Sequence, residues 1–200
     1  VSEDIAPTSW ADMLKPEFKG KIAMADPAKS GSAYTIMLTM IQAFGKETGE
    51  GWFFIDDFIG AVNGKILGSS SAVYKGVAEG EFSVGLTLEK TAIEYVNNGS
   101  PVKIVYPSEG TSAVPDAVGL IKGSLNAENA KKFIDFIISY DYQDIMAKQL
   151  SRRSIRSDVA SPEGLPQLED IKFVDYDFNW AASNKEELLN QFKEILVKHN

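Results

Sequence analysis

Ser30, Gly31 and Ser32 stand between an apolar run, KIAMA, and a longer one, TIMLTMIQAF, in the stretch DPAKSGSAY of residues 26–34. A turn alone needs only the glycine. Two added hydroxyls where a strand hands over to a helix suit the holding of a small anion. The first N–H groups of a helix lack intrahelical acceptors, its dipole adds partial positive charge, and Gly31 lets backbone approach a ligand closely. The plainer reading is a capping serine beside a turn glycine, and residue types alone do not separate the two. GSSSAVYKG, residues 68–76, repeats the arrangement, with Ser70 and Ser71 among three serines where one cap would do. In GLTLE, residues 85–89, Thr87 and Glu89 fall at the carboxyl end of a third strand, where a carboxylate can accept from sugar hydroxyls or an amino group. The plainer reading there is a solvated glutamate opening a helix. Ligands of open α/β sheets sit beyond the carboxyl ends of the strands, so three polar strand ends count for more than one.

Those ends require a scaffold in which short β-type runs alternate with helices. Residues 21–26, 65–68, 81–88, 101–107 and 116–123 read as strands. Residues 32–44 read as a helix that Gly45 can close, and 51–62 carry apolar residues at 52, 55, 58, 59 and 62, which is helical spacing. Residues 71–79 and 90–96 read as short helices. The alternation predicts an α/β fold with a mainly parallel sheet. Further on, Asn126 is placed to cap a single helix running to about Leu150, with apolar positions 130, 133, 134, 137 and 138. Ser183 and Glu186 make a capping box ahead of a last helix, whose buried stripe is Leu188, Leu189, Phe192, Ile195 and Leu196.

Composition narrows the function classes. The 200 residues carry a net charge of −8, which argues against nucleic acid as partner but leaves room for a small anion held by a local nest of N–H groups. There is no cysteine, so disulfides, thiolate metal sites and cysteine nucleophiles are excluded. His199, the one histidine, is nearly terminal, so no Ser/His/Asp arrangement can be built and no enzyme, cofactor or metal site is expected. Asp56 and Asp57 diverge by about 100° on a helix and read as solvated. Arg152, Arg153 and Arg156 read as partners of nearby carboxylates, Tyr140 and Tyr142 as surface residues, and Tyr34, Trp10 and Trp52 as packing. Tyr74, one turn into the helix beside the serines, reads as packing or as a ligand contact. No run reaches the roughly 18 apolar residues of a membrane span. Val1 opens a polar stretch without a signal-peptide pattern, so the chain reads as mature, cytosolic or truncated.

The segments PTSWADMLKPEFKGKIAMADPAKSGSAYT, GSSSAVYKGVAEGEFSVGLTLE and PVKIVYPSEGTSAVPDAVGLIKGSLNAENAKKFIDFIIS together resemble extracellular solute-binding proteins of ABC importers. The resemblance is to the ferric-iron-binding type, in the branch that also takes phosphorylated sugars and aminoalkylphosphonates, and it covers nearly the whole chain in order. It implies a periplasmic-binding-protein-like (type II) lobe: a central, mainly parallel sheet flanked by helices, with a helical C-terminal tail. The family's first lobe would precede PTSW. Residues 1–112 are then expected to be the second lobe, 113–168 a segment returning to the first lobe, and 169–200 a C-terminal helix packing back on the second.

Carried over by position, the resemblance places ligand contacts on Ser30, Gly31, Ser32 and Ala33, on Ser70 and Ser71, and on Thr87 and Glu89. Ferric binders carry an adjacent tyrosine pair where this chain reads GLTLE, which disfavours iron. The implied function is capture of a small anionic solute, a phosphorylated sugar or phosphonate, for an inner-membrane permease, in a periplasmic or lipid-anchored extracytoplasmic setting. Its rivals are a ferric-iron importer protein and the ligand-sensing domain of a regulator. Phe133, Ile134, Phe136, Ile137 and Ile138 would lack a partner surface in such a fragment, which implies a homodimer or domain swap.

Overall fold

β1, Ile22–Ala25, is buried along its whole length, and its side chains divide by size. Ile22 and Met24 enter one hydrophobic cluster, Ala23 and Ala25 another, as the twofold alternation of a strand demands. This computed structural model describes residues 5–200. The chain forms two compact units: one runs to Ala113 and resumes at Ile171–Asn200, and the other is Val114–Asp170.

In the first unit, β1 is followed by α1, Gly31–Phe44, and α2, Glu50–Val62. Then come β2, Ile66–Leu67, α3, Ser70–Ala78, β3, Val84–Gly85, and α4, Glu89–Asn97. The three strands form a parallel sheet in the order β2-β1-β3, with Met24 beside Ile66 and Ile22 beside Val84. On the Ile22/Met24 face lie α1, α2 and the last helix, built around Met37, Leu38, Ile41, Ile55, Phe58, Ile59 and Val62. On the Ala23/Ala25 face lies α3, through Val73 and Val77, with Phe82. Small residues let these layers close. A Cβ on Gly85 would meet Val77 at 2.6 Å, and one on Gly76 would meet Phe82 at 2.8 Å. Gly51 is tighter still: a Cβ there would lie 2.2 Å from the carbonyl oxygen of Ile41, so its absence lets α1 and α2 touch through backbone.

The chain re-enters this unit at Ile171. Thr111 and Phe173 form an isolated parallel bridge, and Thr39, buried in α1, shares a 2.7 Å bond with Ser112. α7, Phe178–Ser183, is capped by Asp177, whose carboxylate accepts from the Trp180 N–H at 2.9 Å and pairs with Lys46. α8, Lys185–Lys198, buries Leu188 and Phe192 and rests Leu189, Ile195 and Leu196 on the same core, as the stripe predicts. Tyr34 is core, donating to the Ala181 carbonyl at 2.6 Å.

Asp177 makes part of this unit's stability pH-dependent. The Lys46 ammonium, and then the Trp180 N–H, hold its carboxyl below the usual carboxylate range. A depressed pKa contributes stability that is complete above the unfolded value of about 3.9 and is lost as pH falls through the folded one. Asp177→Asn should therefore lower the urea midpoint at pH 7 and flatten its fall below about pH 4. Equal slopes in variant and parent would remove Asp177 from the acid response.

The second unit holds α5, Ala127–Ile137, and α6, Tyr140–Leu150. No residue of α5 is buried, and Phe133 is 58% exposed. Arg152 pairs with Asp116 at 2.6 Å, and Arg156 makes two 2.8 Å bonds to Asp158, the carboxylate partners expected.

Several expectations are corrected. The single helix over 127–150 is two, because Ser139 accepts from the Tyr142 N–H and donates to the Phe136 carbonyl at 2.6 Å, ending one helix and capping the next. Asn126 occupies the α5 cap position without a side-chain cap bond. The Ser183–Glu186 capping box does not form: Ser183 is the last residue of α7, so its backbone is helical, and Asn184 precedes α8. Residues 101–107 and 116–123 form no strand. The first keeps alternating burial, so its period of two reports one packed face rather than a ladder, which also needs a neighbouring strand. The second is exposed throughout. Asp56 is not simply solvated: it pairs with Lys198 and, at 2.6 Å, with the His199 imidazole. Among the described residues no helix is long and apolar enough to cross a membrane.

Candidate functional site

The strand order decides where the polar loops lie. β1 is central and all three strands are parallel, so their carboxyl ends share one edge of the sheet. There the chain passes into α1, α3 and α4. Bonds across the edge hold the exits in register: the Asp26 N–H donates to the Leu67 carbonyl at 2.9 Å, and the Leu86 N–H to the Ala23 carbonyl at 3.0 Å.

The first exit is braced by Asp26. Its carbonyl accepts from the Lys29 and Ser30 N–H groups, and its carboxylate accepts from the Ala28 N–H at 2.9 Å and faces Lys29 at 3.2 Å. Ser30 is the N-cap of α1, its Oγ accepting from the Ala33 N–H at 3.3 Å and lying 3.0 Å from the Ser32 Oγ. One hydroxyl proton is spent between the two oxygens, and among the described residues the other meets no further acceptor. The Gly31 and Ser32 N–H groups likewise find none there, as the first turn of a helix dictates. A Cβ on Gly31 would meet nothing within 4 Å, and its backbone is not left-handed, so the fold itself does not call for glycine at this position.

The second exit copies the first. Ser69 caps α3, its Oγ accepting from the Ala72 N–H at 3.3 Å and lying 2.9 Å from the Ser71 Oγ. Ser70 opens the helix. Sequence reasoning singled out Ser70 and Ser71 but passed over Ser69. The signal was present: SGSA at 30–33 and SSSA at 69–72 share the spacing Ser-x-Ser-Ala. Ser30 and Ser69 are thus caps, as the plainer reading has it, and among the described residues both turns leave unspent donors, the Ser70 and Ser71 N–H groups included.

The third exit differs. Leu86 is buried, Thr87 is half-buried, and Leu88 precedes α4 without a side-chain cap. Glu89 occupies the first turn, where the helix dipole favours a carboxylate. The Tyr106 hydroxyl donates to Glu89 Oε1 at 2.5 Å. Tyr106 was not foreseen, since nothing local ties residue 106 to residue 89. Tyr74 meets Tyr95 of α4 with ring centroids 5.4 Å apart, joining α3 to α4. Ser30–Ala33, Ser69–Ser71, Thr87 and Glu89 therefore lie at adjacent exits of one sheet edge.

Other polar features lie elsewhere in the unit. Two open furrows run along α8, one lined by Ser183, Glu186, Asn190 and Glu194, the other by Trp52, Phe53 and Ile195 among others, and neither includes an exit residue. Among the described residues no three of His, Cys, Asp and Glu converge as metal ligands.

Residues 1–182 match the family model described as bacterial extracellular solute-binding protein. This chain belongs to that family. An uncharacterized protein of Haemophilus influenzae is 30% identical over 175 residues, covering 86% of this chain and 49% of that one. A putative 2-aminoethylphosphonate-binding periplasmic protein of Salmonella typhimurium is 28% identical, covering 77% of this chain and 47% of that protein. This family member thus spans about half the length of the curated relatives it matches. The solved periplasmic binding protein AfuA of Actinobacillus pleuropneumoniae, with fructose 6-phosphate bound, superposes with a TM-score of 0.81 at 27% identity, over 96% of this chain and 60% of AfuA. The α/β, periplasmic-binding-protein-like fold expected from the sequence is the fold found. None of these comparisons supports a homodimer or domain swap.

Proposed function

We propose that this chain forms part of the solute-binding component of an ABC importer. It would capture a small anionic solute, a phosphorylated sugar or a phosphonate, outside the cytoplasm and pass it to an inner-membrane permease. One observation carries the reading: the Ser-x-Ser-Ala turn occurs twice, at adjacent parallel strand exits, each time with two N–H groups and a hydroxyl proton that meet no acceptor among the described residues. Hydrogen bonds to a charged acceptor contribute about 1.5–3 kcal/mol each, so a few suffice for a tight complex without any cation. Ser30 to Ala33, with Ser70 and Ser71, hold the phosphoryl or phosphonate oxygens. Ala33 acts through its bond to Ser30. Thr87 and Glu89 accept from the rest of the solute, and Tyr74 flanks it. The solutes named for the Salmonella relative and for AfuA both join a phosphorus oxyanion to a second polar part. The unit holding the exits would be the second lobe of a two-lobed clamp, with 113–168 returning to the first lobe.

A second reading has one observation in its favour. Glu89 and Tyr106 bring a carboxylate and a phenol together, the oxygen donors ferric iron prefers. Calorimetry on the full-length protein separates the two. Fructose 6-phosphate or 2-aminoethylphosphonate should bind with micromolar or tighter Kd. A protein that takes ferric ion, and neither phosphorus compound, would overturn the anion reading.

A further inference from the structure

Tyr106 lies in the stretch 101–107, which is half-buried on alternate residues up to 106 without entering a sheet. Its hydroxyl donates to Glu89 Oε1 across 17 positions of sequence. Glu89 itself stands in the first turn of a helix whose Leu88 cap contributes no side-chain bond. A glutamate in such a place is a long side chain with rotamer freedom to lose, and fixing one costs up to about 2 kcal/mol. A phenol bonded to one carboxylate oxygen bears part of that cost before any solute arrives.

We infer that Tyr106 is a positioning residue: it fixes Glu89 at the third strand exit, and so gives the site its preference for solutes that carry a hydrogen-bond donor beyond the phosphorus oxyanion. The inference rests on the anion reading above. It goes further by dividing the site into two parts that act separately. The serine turns take the oxyanion whatever it is attached to. The Tyr106–Glu89 pair acts only on the sugar hydroxyls or ammonium of the remainder, because a carboxylate accepts from such groups and has no donor to offer the oxyanion.

The test uses the full-length protein with three probes in calorimetry: fructose 6-phosphate, 2-aminoethylphosphonate and inorganic phosphate. Tyr106→Phe keeps the ring and removes the hydroxyl. It should weaken the tighter-binding of the two larger probes about tenfold, the affinity that pre-ordering one such side chain supplies. Inorganic phosphate should change less than about twofold. Glu89→Gln should show the same split with a larger loss, and in the double variant the Tyr106 effect should vanish, as for two groups acting through one contact. A merely structural tyrosine would move all three probes together.

Equal weakening of every probe, or additive losses in the double variant, would overturn the inference and leave the anion site standing. So would parent protein that binds inorganic phosphate as tightly as either larger probe. If the parent binds none of the three, the anion site itself fails and the inference goes with it.

Discussion

Gly31→Asp is expected to weaken binding of an anionic solute by roughly a hundredfold or more while leaving the folded unit as stable as before, or slightly more so. The two effects have opposite signs because they have different causes. At the first position of α1 an aspartate gains about 0.3–1 kcal/mol from the helix dipole. It also replaces a glycine that neither packing nor a left-handed backbone requires, since its Cβ would stand in open space. The solute meets a like charge instead. Two unit charges about 4 Å apart interact by about 4 kcal/mol at an effective dielectric near 20, and half of that already costs more than a factor of ten. Calorimetry with the phosphorus probes and a thermal melt on the same sample read both effects. Unchanged affinity would place the solute away from this turn, and tighter binding would mean a cationic one. A large loss of stability would mean that Gly31 serves the fold after all.

The largest effect on stability is expected in α2, whose two faces differ sharply. Phe58 is fully buried among Ile55, Ile59 and Val62, with its ring 6.2 Å from that of Phe54, whereas Phe53 is 70% exposed. Phe58→Ala removes a ring from a close-packed layer and should cost about 3–5 kcal/mol, a large part of the 5–15 kcal/mol typical of a whole domain. Phe53→Ala should stay within about 0.5 kcal/mol. Guanidinium denaturation of the two variants beside the parent measures the contrast. Comparable losses would show that the ring of Phe53 is covered in solution.

The elements that position the site were legible because their signals are local. IAMA, residues 22–25, is apolar throughout, as a strand covered on both faces must be, and it is β1. The spacing 55, 58, 59 and 62 marks the inner face of α2, and Gly45 does end α1. Misreadings arose where the outcome depends on a neighbour. EFSVGLTL supplies only Val84–Gly85 to the sheet, where they pair with Ile22 and Ala23 of β1, and the rest of its alternation lies outside the ladder. Residues 101–107 have the right period but no strand alongside. The helical period runs unbroken through Ile138, and only the bonds of Ser139 reveal the stop. At the site, the serine turns stand out in sequence because cap and donor share a few consecutive residues, although Ser69 was passed over for the serines after it. The partnership of Tyr106 with Glu89 bridges two segments whose meeting no local pattern announces.

The thin side of β1 bears on the site above it. On this face β1 and β3 offer α3 only the methyl groups of Ala23 and Ala25 and the bare backbone of Gly85, against which Val73, Val77 and Phe82 pack, with Leu67 beside them. α3 carries the second serine turn at its tip and α1 carries the first, so the gauge separating the two turns depends on how small the residues of β1 on this face are. A bulkier residue at position 23 or 25 would lever α3 outward and widen that gauge without altering a single group that faces solvent. If the turns hold the solute as proposed, relatives that keep both would diverge in the girth of solute they admit through changes hidden beneath the floor.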